Sequence, residues 1–230
     1  MAEQHGPEEV KQQYMTAMGR DLGQVFYLLS NECVWLHWKW SDYVILFGSK
    51  QERIDLLNEA APAFFKLVQG AMWEDVLLHL CRLTDPVKSC GRQTLTLQRL
   101  PDLVPSAIRR DVHSQLQKAI RKSEFARDWR NRHIAHRDLG RALNEHAMPL
   151  ASASRKGVKD ALEAIVCLLN YVEQRQCGGS TTFYEGISPH GNAESLLCVL
   201  RDGVNADSSR RRRLSSGNPL PEDLRPPEAI

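Results

Sequence analysis

The chain lacks any apolar run long enough to cross a bilayer. Asp, Lys, Arg or Gly interrupts every candidate, whereas a spanning helix needs about twenty consecutive apolar positions. No basic stretch followed by an apolar one opens the sequence, so no secretory leader is expected. The six cysteines (Cys33, Cys81, Cys90, Cys167, Cys177 and Cys198) include no CxxC pair. A zinc site wants paired ligands at short spacing, and His133 with His136 stands without a second pair. The expectation is therefore no metal and no cofactor. Reduced thiols in a cytoplasmic protein are expected, with Cys81, Cys167 and Cys198 as small core residues inside apolar helical patterns. An excess of one charge is also missing, since the formal net charge is +2. The chain as a whole is no basic sponge for nucleic acid, and any phosphate binding must come from local clusters. Repeats and alternating strand patterns are absent, which leaves helices.

Helical periodicity is what the chain has. Residues 8–47 read as one long helix or two joined ones, with Val25, Leu28, Leu29, Leu36 and Tyr43 as the apolar stripe. Trp35, Trp38 and Trp40 add bulk for core or dimer packing. Gly48-Ser49 breaks the pattern, and Ser49 with Glu52 can form a capping box for the next helix. That second long helix spans about 50–83, with Pro62 predicting a kink or a break. Its apolar face is wide enough to place it at the centre of a bundle. Thr84-Asp85-Pro86 ends it, because the residue before proline avoids helical angles; Asp85 reads as a turn cap. Residues 87–94 read as a loop and 95–103 as a short helical piece. Pro105 opens a polar helix that continues to about Leu143. Residues 154–176 form an amphipathic helix and 192–204 a further short one. From Asn205 the Ser/Arg/Pro-rich composition cannot bury a core. The expected fold is all-α: a helical domain over residues 1–204 and a disordered tail over 205–230, in which Arg210–Arg213 reads as a solvated charge run.

Residues 127–139 hold four arginines, two histidines and two aspartates around Trp129. Arginine is a planar, permanently charged fork that suits phosphate, and histidine exchanges a proton near neutral pH. On a straight helix each residue advances about 100°. Trp129, Arg132, His133 and His136 then share one stripe, and Arg130, His133 and Arg137 a neighbouring one. Arg130 and His136 fall roughly 120° apart on such a helix, so one straight copy does not aim both at the same spot. Two readings stand on spacing alone. In one, a neutral His removes a 2′-hydroxyl proton while Arg steadies the charge growing on a phosphate. In the other, the segment is a solvated basic face with Asp128 and Asp138 as ion-pair partners.

The run Arg130-Asn131-Arg132-His133-Ile134-Ala135-His136 resembles the motif of the HEPN superfamily: an Arg, a polar residue, a spacer and a His. Five residues separate Arg130 from His136, and Asn131 fills the polar slot. The segments 46–48, 53–61, 75–78, 82–86, 95–97 and 193–203 are similar to the abortive-infection U-type branch of that superfamily, so the likeness covers about residues 28–203. The resemblance implies a bundle of four to five main helices with short extra helices, forming a homodimer that faces two motifs across a cleft. It implies metal-independent RNA cleavage in a toxin or anti-phage setting, with an antitoxin protein as a further partner. Carried over, Arg130 binds phosphate, Asn131 positions backbone or water, and His136 acts as acid or base. Arg127 and His133 fit a second register at the same spacing, and Arg132 and Arg137 are candidates for RNA phosphate. Asp138 stands where related toxins often carry a Tyr, which puts regulation at that position in doubt. The alternative reading is a non-catalytic HEPN module that recognises a partner protein, a nucleotide or RNA through the same basic face.

Overall fold

The computed structural model of the chain describes residues 6–48, 50–89, 91–135, 143, 149–179, 181, 182, 184 and 191–224. Helix dominates them. In chain order they form α1 (Pro7–Met18), α2 (Arg20–Phe47), α3 (Gln51–Ala60), α4 (Pro62–Thr84), β1 (Lys88–Ser89), β2 (Arg92–Gln93), α5 (Leu100–Leu103), α6 (Ser106–Trp129), α7 (Arg155–Gln176) and α8 (Ala193–Ser215). Short 3-10 turns cover Leu97–Arg99 and Pro221–Leu224, and a π-helical turn covers Arg130–Ile134. The expected all-α fold is what the chain adopts. No helix among the described residues is long and apolar enough to cross a membrane.

The chain divides into two compact units, residues 1–40 with 73–187 and residues 41–72 with 188–230. The first has the larger core. From α2 it takes Phe26, Leu29, Cys33 and Leu36, and from α4 Val76, Leu77 and Leu80. From α6 come Val112, Leu116, Ala119 and Ala126, which recur at helical spacing and so lie on one face. That face packs along α7, which presents Val158, Leu162, Ile165, Leu169 and Val172 in the same manner. The buried Glu173 of α7 is satisfied by Tyr14 Oη at 2.7 Å, Thr182 N at 2.7 Å and Thr182 Oγ1 at 2.8 Å, tying α1 to this core. In the second unit α3 packs on α8, and Leu46, Leu57, Phe65, Ala193 and Leu197 are the buried apolar residues.

Helix boundaries follow local chemistry. The first long helical stretch is two helices, α1 and α2, separated at Gly19 with φ 82°. A Cβ on Gly23 would lie 2.5 Å from the Met15 Cα and the Tyr14 carbonyl oxygen, so only glycine lets the two helices turn this closely. Pro62 produces a break: α3 ends at Ala60 and Pro62 opens α4, a position where its missing N–H costs nothing. α3 starts with Lys50 at its N-cap and no side-chain cap bond; Ser49, the expected cap, lies outside the described residues. Ser154 Oγ caps α7 by accepting from Gly157 N at 3.1 Å. Asn192 Oδ1 caps α8 by accepting from Glu194 N and Ser195 N at 3.1 Å each.

Several expectations are corrected. The expected loop at 87–94 contains a two-rung hairpin, pairing Lys88 with Gln93 and Ser89 with Arg92. It closes through Gly91 at φ 78° and is held by the Arg99 guanidinium, which donates to the Thr94 and Val87 carbonyls and to Gln93 Oε1. The apolar face of residues 50–83 is buried only in part: Phe64 is 60% exposed. Cys81 is buried as expected, but Cys167 and Cys198 are exposed, and Cys33 is buried as well. The final helix does not stop at Val204. It runs through the arginine run to Ser215, supported by Arg211–Asp207 at 2.7 Å, four residues apart. Asp223 then folds back on it, accepting from Arg213 Nε and Nη2 at 2.7 Å each, while its carbonyl takes Arg210. Residues 225–230 of the expected tail lie outside the described residues.

Candidate functional site

The helix expected to carry the Arg-His segment to Leu143 changes form at its start. α6 ends at Trp129, and the next turn closes through Ala135 N donating to Arg130 O at 2.8 Å, an i→i+5 bond. Such π turns hold one extra residue and recur at functional sites. A uniform advance of about 100° per residue does not apply across this turn. His136 and Arg137 lie outside the described residues, as does Asp138.

Two neighbours stabilise this turn. Trp129 Nε1 donates to Ala151 O at 2.8 Å, and Asp128 Oδ2 accepts from Ala151 N at 2.8 Å. Arg132 Nη1 lies 3.3 Å from Asp128 Oδ1 and 3.3 Å from Pro149 O. Arg132, expected on RNA phosphate, is thus engaged in fastening residues 149–151 to the turn. His133 is exposed and sets its ring edge-to-face against Trp129, with centroids 5.4 Å apart.

Arg127 and Arg130, one from each proposed register, converge on a single carboxylate. Asp85 Oδ1 lies 3.5 Å from Arg127 Nε, and Asp85 Oδ2 pairs closely with Arg130 Nη1. Arg127 Nη2 also donates to Thr84 O at 3.1 Å. Arg130 Nε donates to Asn131 Oδ1 at 3.0 Å, so Asn131 orients the arginine beside it. The three charged side chains are mostly covered but still reach solvent: 27% exposed for Arg127, 26% for Arg130 and 21% for Asp85. Their charges sum to one positive. Guanidinium forks with open edges, partly screened from water, suit a phosphodiester. Beneath them Cys81 is buried, which pushes its thiol up to about 11; it stays protonated near neutral pH and is no nucleophile there.

The sequence pattern misses Asp85, which reads there as a turn cap. A signal was present in the Arg82–Pro86 run, one of the segments of family likeness, but nothing in linear spacing links residue 85 to residues 127 and 130. Arg99 is committed to the hairpin, where it donates to the Thr94 and Val87 carbonyls. Among the described residues no three His, Cys, Asp or Glu side chains come together as a metal-binding group.

A family model described as AbiU2, of the HEPN type, matches residues 20–195. Among curated proteins and among solved structures, none matches the chain.

Proposed function

The chain belongs to the AbiU2 family of HEPN proteins, and from that premise we propose that it is a metal-independent endoribonuclease of a toxin or anti-phage system. The observation that carries the reading is the convergence of Arg127 and Arg130 at a π turn inside the Arg-Asn-x4-His motif. Arg130, backed by Arg127, binds the scissile phosphodiester and offsets the charge that builds on its oxygens. His136 takes the proton of the 2′-hydroxyl, whose oxygen attacks phosphorus. The P–O2′ bond forms as the P–O5′ bond breaks, leaving a 2′,3′-cyclic phosphate and a 5′-hydroxyl whose proton comes from an acid. The second motif of a homodimer supplies that acid across a cleft. Such a protein works in the cytoplasm, where its RNA is, under the control of an antitoxin. His133, exposed on the turn, is the base in the second register.

The test is cleavage of end-labelled RNA by purified protein in EDTA, with Arg130→Ala/His136→Ala beside it. The expected result is cleavage by wild type alone, leaving 2′,3′-cyclic or 3′-phosphate ends. A His136→Ala variant that still cleaves while His133→Ala does not moves the base to His133. Silence of the wild type toward every RNA class favours the non-catalytic binding module.

A further inference from the structure

The last residue before Pro86 does more than end α4. Its backbone is pinned on both sides: Asp85 N donates to Cys81 O at 2.7 Å, and Asp85 O accepts from Thr96 Oγ1 at 2.6 Å. Thr96 Oγ1 also reaches Leu83 O at 3.0 Å, and Gln98 Nε2 donates to Thr84 O at 2.8 Å. The stretch after α4 therefore presents the carboxylate from a fixed mount. Both of its oxygens are used, one on each arginine. We propose that Asp85 is a positioning residue for the ribonuclease site, holding Arg127 and Arg130 side by side so that one edge of each guanidinium stays open to the same phosphodiester.

The hydrogen bonds of the two guanidiniums support this. Arg127 uses Nε on Asp85 and Nη2 on Thr84. Arg130 uses Nη1 on Asp85 and Nε on Asn131. Among the described residues the remaining terminal nitrogens, Arg127 Nη1 and Arg130 Nη2, have no partner. Each still has two N–H donors. Without the carboxylate the two guanidiniums would repel and swing on long, rotamer-rich stems. With it they keep one net positive charge for a substrate group carrying one negative charge. Asp85 touches neither substrate nor proton; it acts through Arg127 and Arg130. The inference rests on the ribonuclease reading.

The experiment compares wild type, Asp85→Asn, Asp85→Glu, Arg130→Ala and Asp85→Asn/Arg130→Ala. Cleavage of a short fluorogenic RNA is followed in EDTA, together with arginine side-chain 15N–1H spectra and thermal unfolding. Asp85→Asn is expected to lose about 100-fold in kcat with KM near wild type, as displacement of a positioned group does. Asp85→Glu recovers part of the loss, and the double variant loses much less than the two single losses combined. The slowed Arg127 Nε–H and distinct Arg130 Nη signals of the wild type merge into exchange-averaged ones in Asp85→Asn. Full activity in Asp85→Asn, additive losses in the double variant, or a kcat loss that merely follows the melting temperature overturns the proposal. The spectra decide it even if the wild type cleaves nothing. Unchanged arginine signals then refute Asp85 as the holder of the pair, whereas changed signals keep that role and discard only the ribonuclease reading.

Discussion

At the scale of single residues, His79 is a buried ring set among competing charges. It is 1% exposed, with Nε2 2.8 Å from Glu32 Oε2. Arg82 also reaches Glu32, at 3.7 Å, and Lys39 pairs with Asp75 at 2.7 Å. Burial first, then Arg82 and Lys39, push the ring down to about 4 against the pull of Glu32. The folded state therefore holds His79 neutral where the unfolded chain, with an ordinary histidine near 6.5, takes up a proton. The resulting stability is fully present above that ordinary value. It drains away as pH falls toward about 4, by on the order of 3 kcal/mol over the window. Urea unfolding at about pH 7.5 and about pH 4.5 should show this loss, and His79→Gln should show much less of it. Equal losses in both proteins would sink the assignment. The Arg130–His136 motif stands out in the sequence because it is local and its residue types are chemically distinctive; of it, Arg130 and Asn131 meet in the structure, and His136 lies outside the described residues. Asp85 was not, because pairing across 42 and 45 positions depends on packing that no window of sequence contains.

At the scale of elements, glycines and caps decide where helices begin and end. Gly23 sits where the backbone of Met15 leaves no room for a methyl group, while Gly70 of α4 has nothing within 4 Å of a built Cβ. Gly23→Ala should cost about 1–3 kcal/mol through forced backbone shifts, and Gly70→Ala should gain about 0.5–1 kcal/mol from helix propensity. Chemical denaturation of both variants reads the contrast; a neutral Gly23→Ala would show that the corner between α1 and α2 yields easily. The break at Pro62 and the helix starts at residues 154 and 192 were legible, since each arises from one residue's local chemistry. The π turn was not. Its extra residue is accommodated by the Trp129 and Asp128 bonds to Ala151, and a helical pattern read at about 3.6 residues per turn has no way to register them.

At the scale of the whole chain, the all-α class was evident from periodicity, and the last helix runs past its expected end at residue 204 to Ser215. Arg211 pairs with Asp207 one turn back along the helix, and after the turn at Gly217 Asp223 pairs with Arg213 and accepts from Arg210 on its carbonyl. Arg213 and the Leu220 N–H hold the Asp223 carboxyl down to about 2. The clamp is thus intact above ordinary carboxylate pKa values and opens only as pH falls through about 2. Asp223→Ala should free the last turns of α8 at neutral pH. Amide hydrogen exchange should then rise over residues 207–216 while α6 and α7 remain protected; unchanged exchange there would mean that the helix holds itself.

The carboxylate and its two arginines lie on opposite sides of the Lys88–Gln93 hairpin in the chain. A ribosome that has released α4 but not α6 has made an acid without its bases. A fragment starting after the hairpin has the bases and no acid. Neither length of polypeptide holds the organised pair, so the ion-paired cluster forms only after Arg130 has emerged and found residue 85. Two pieces divided at the hairpin would each lack one half of the ion-paired cluster and would regain it only by finding each other.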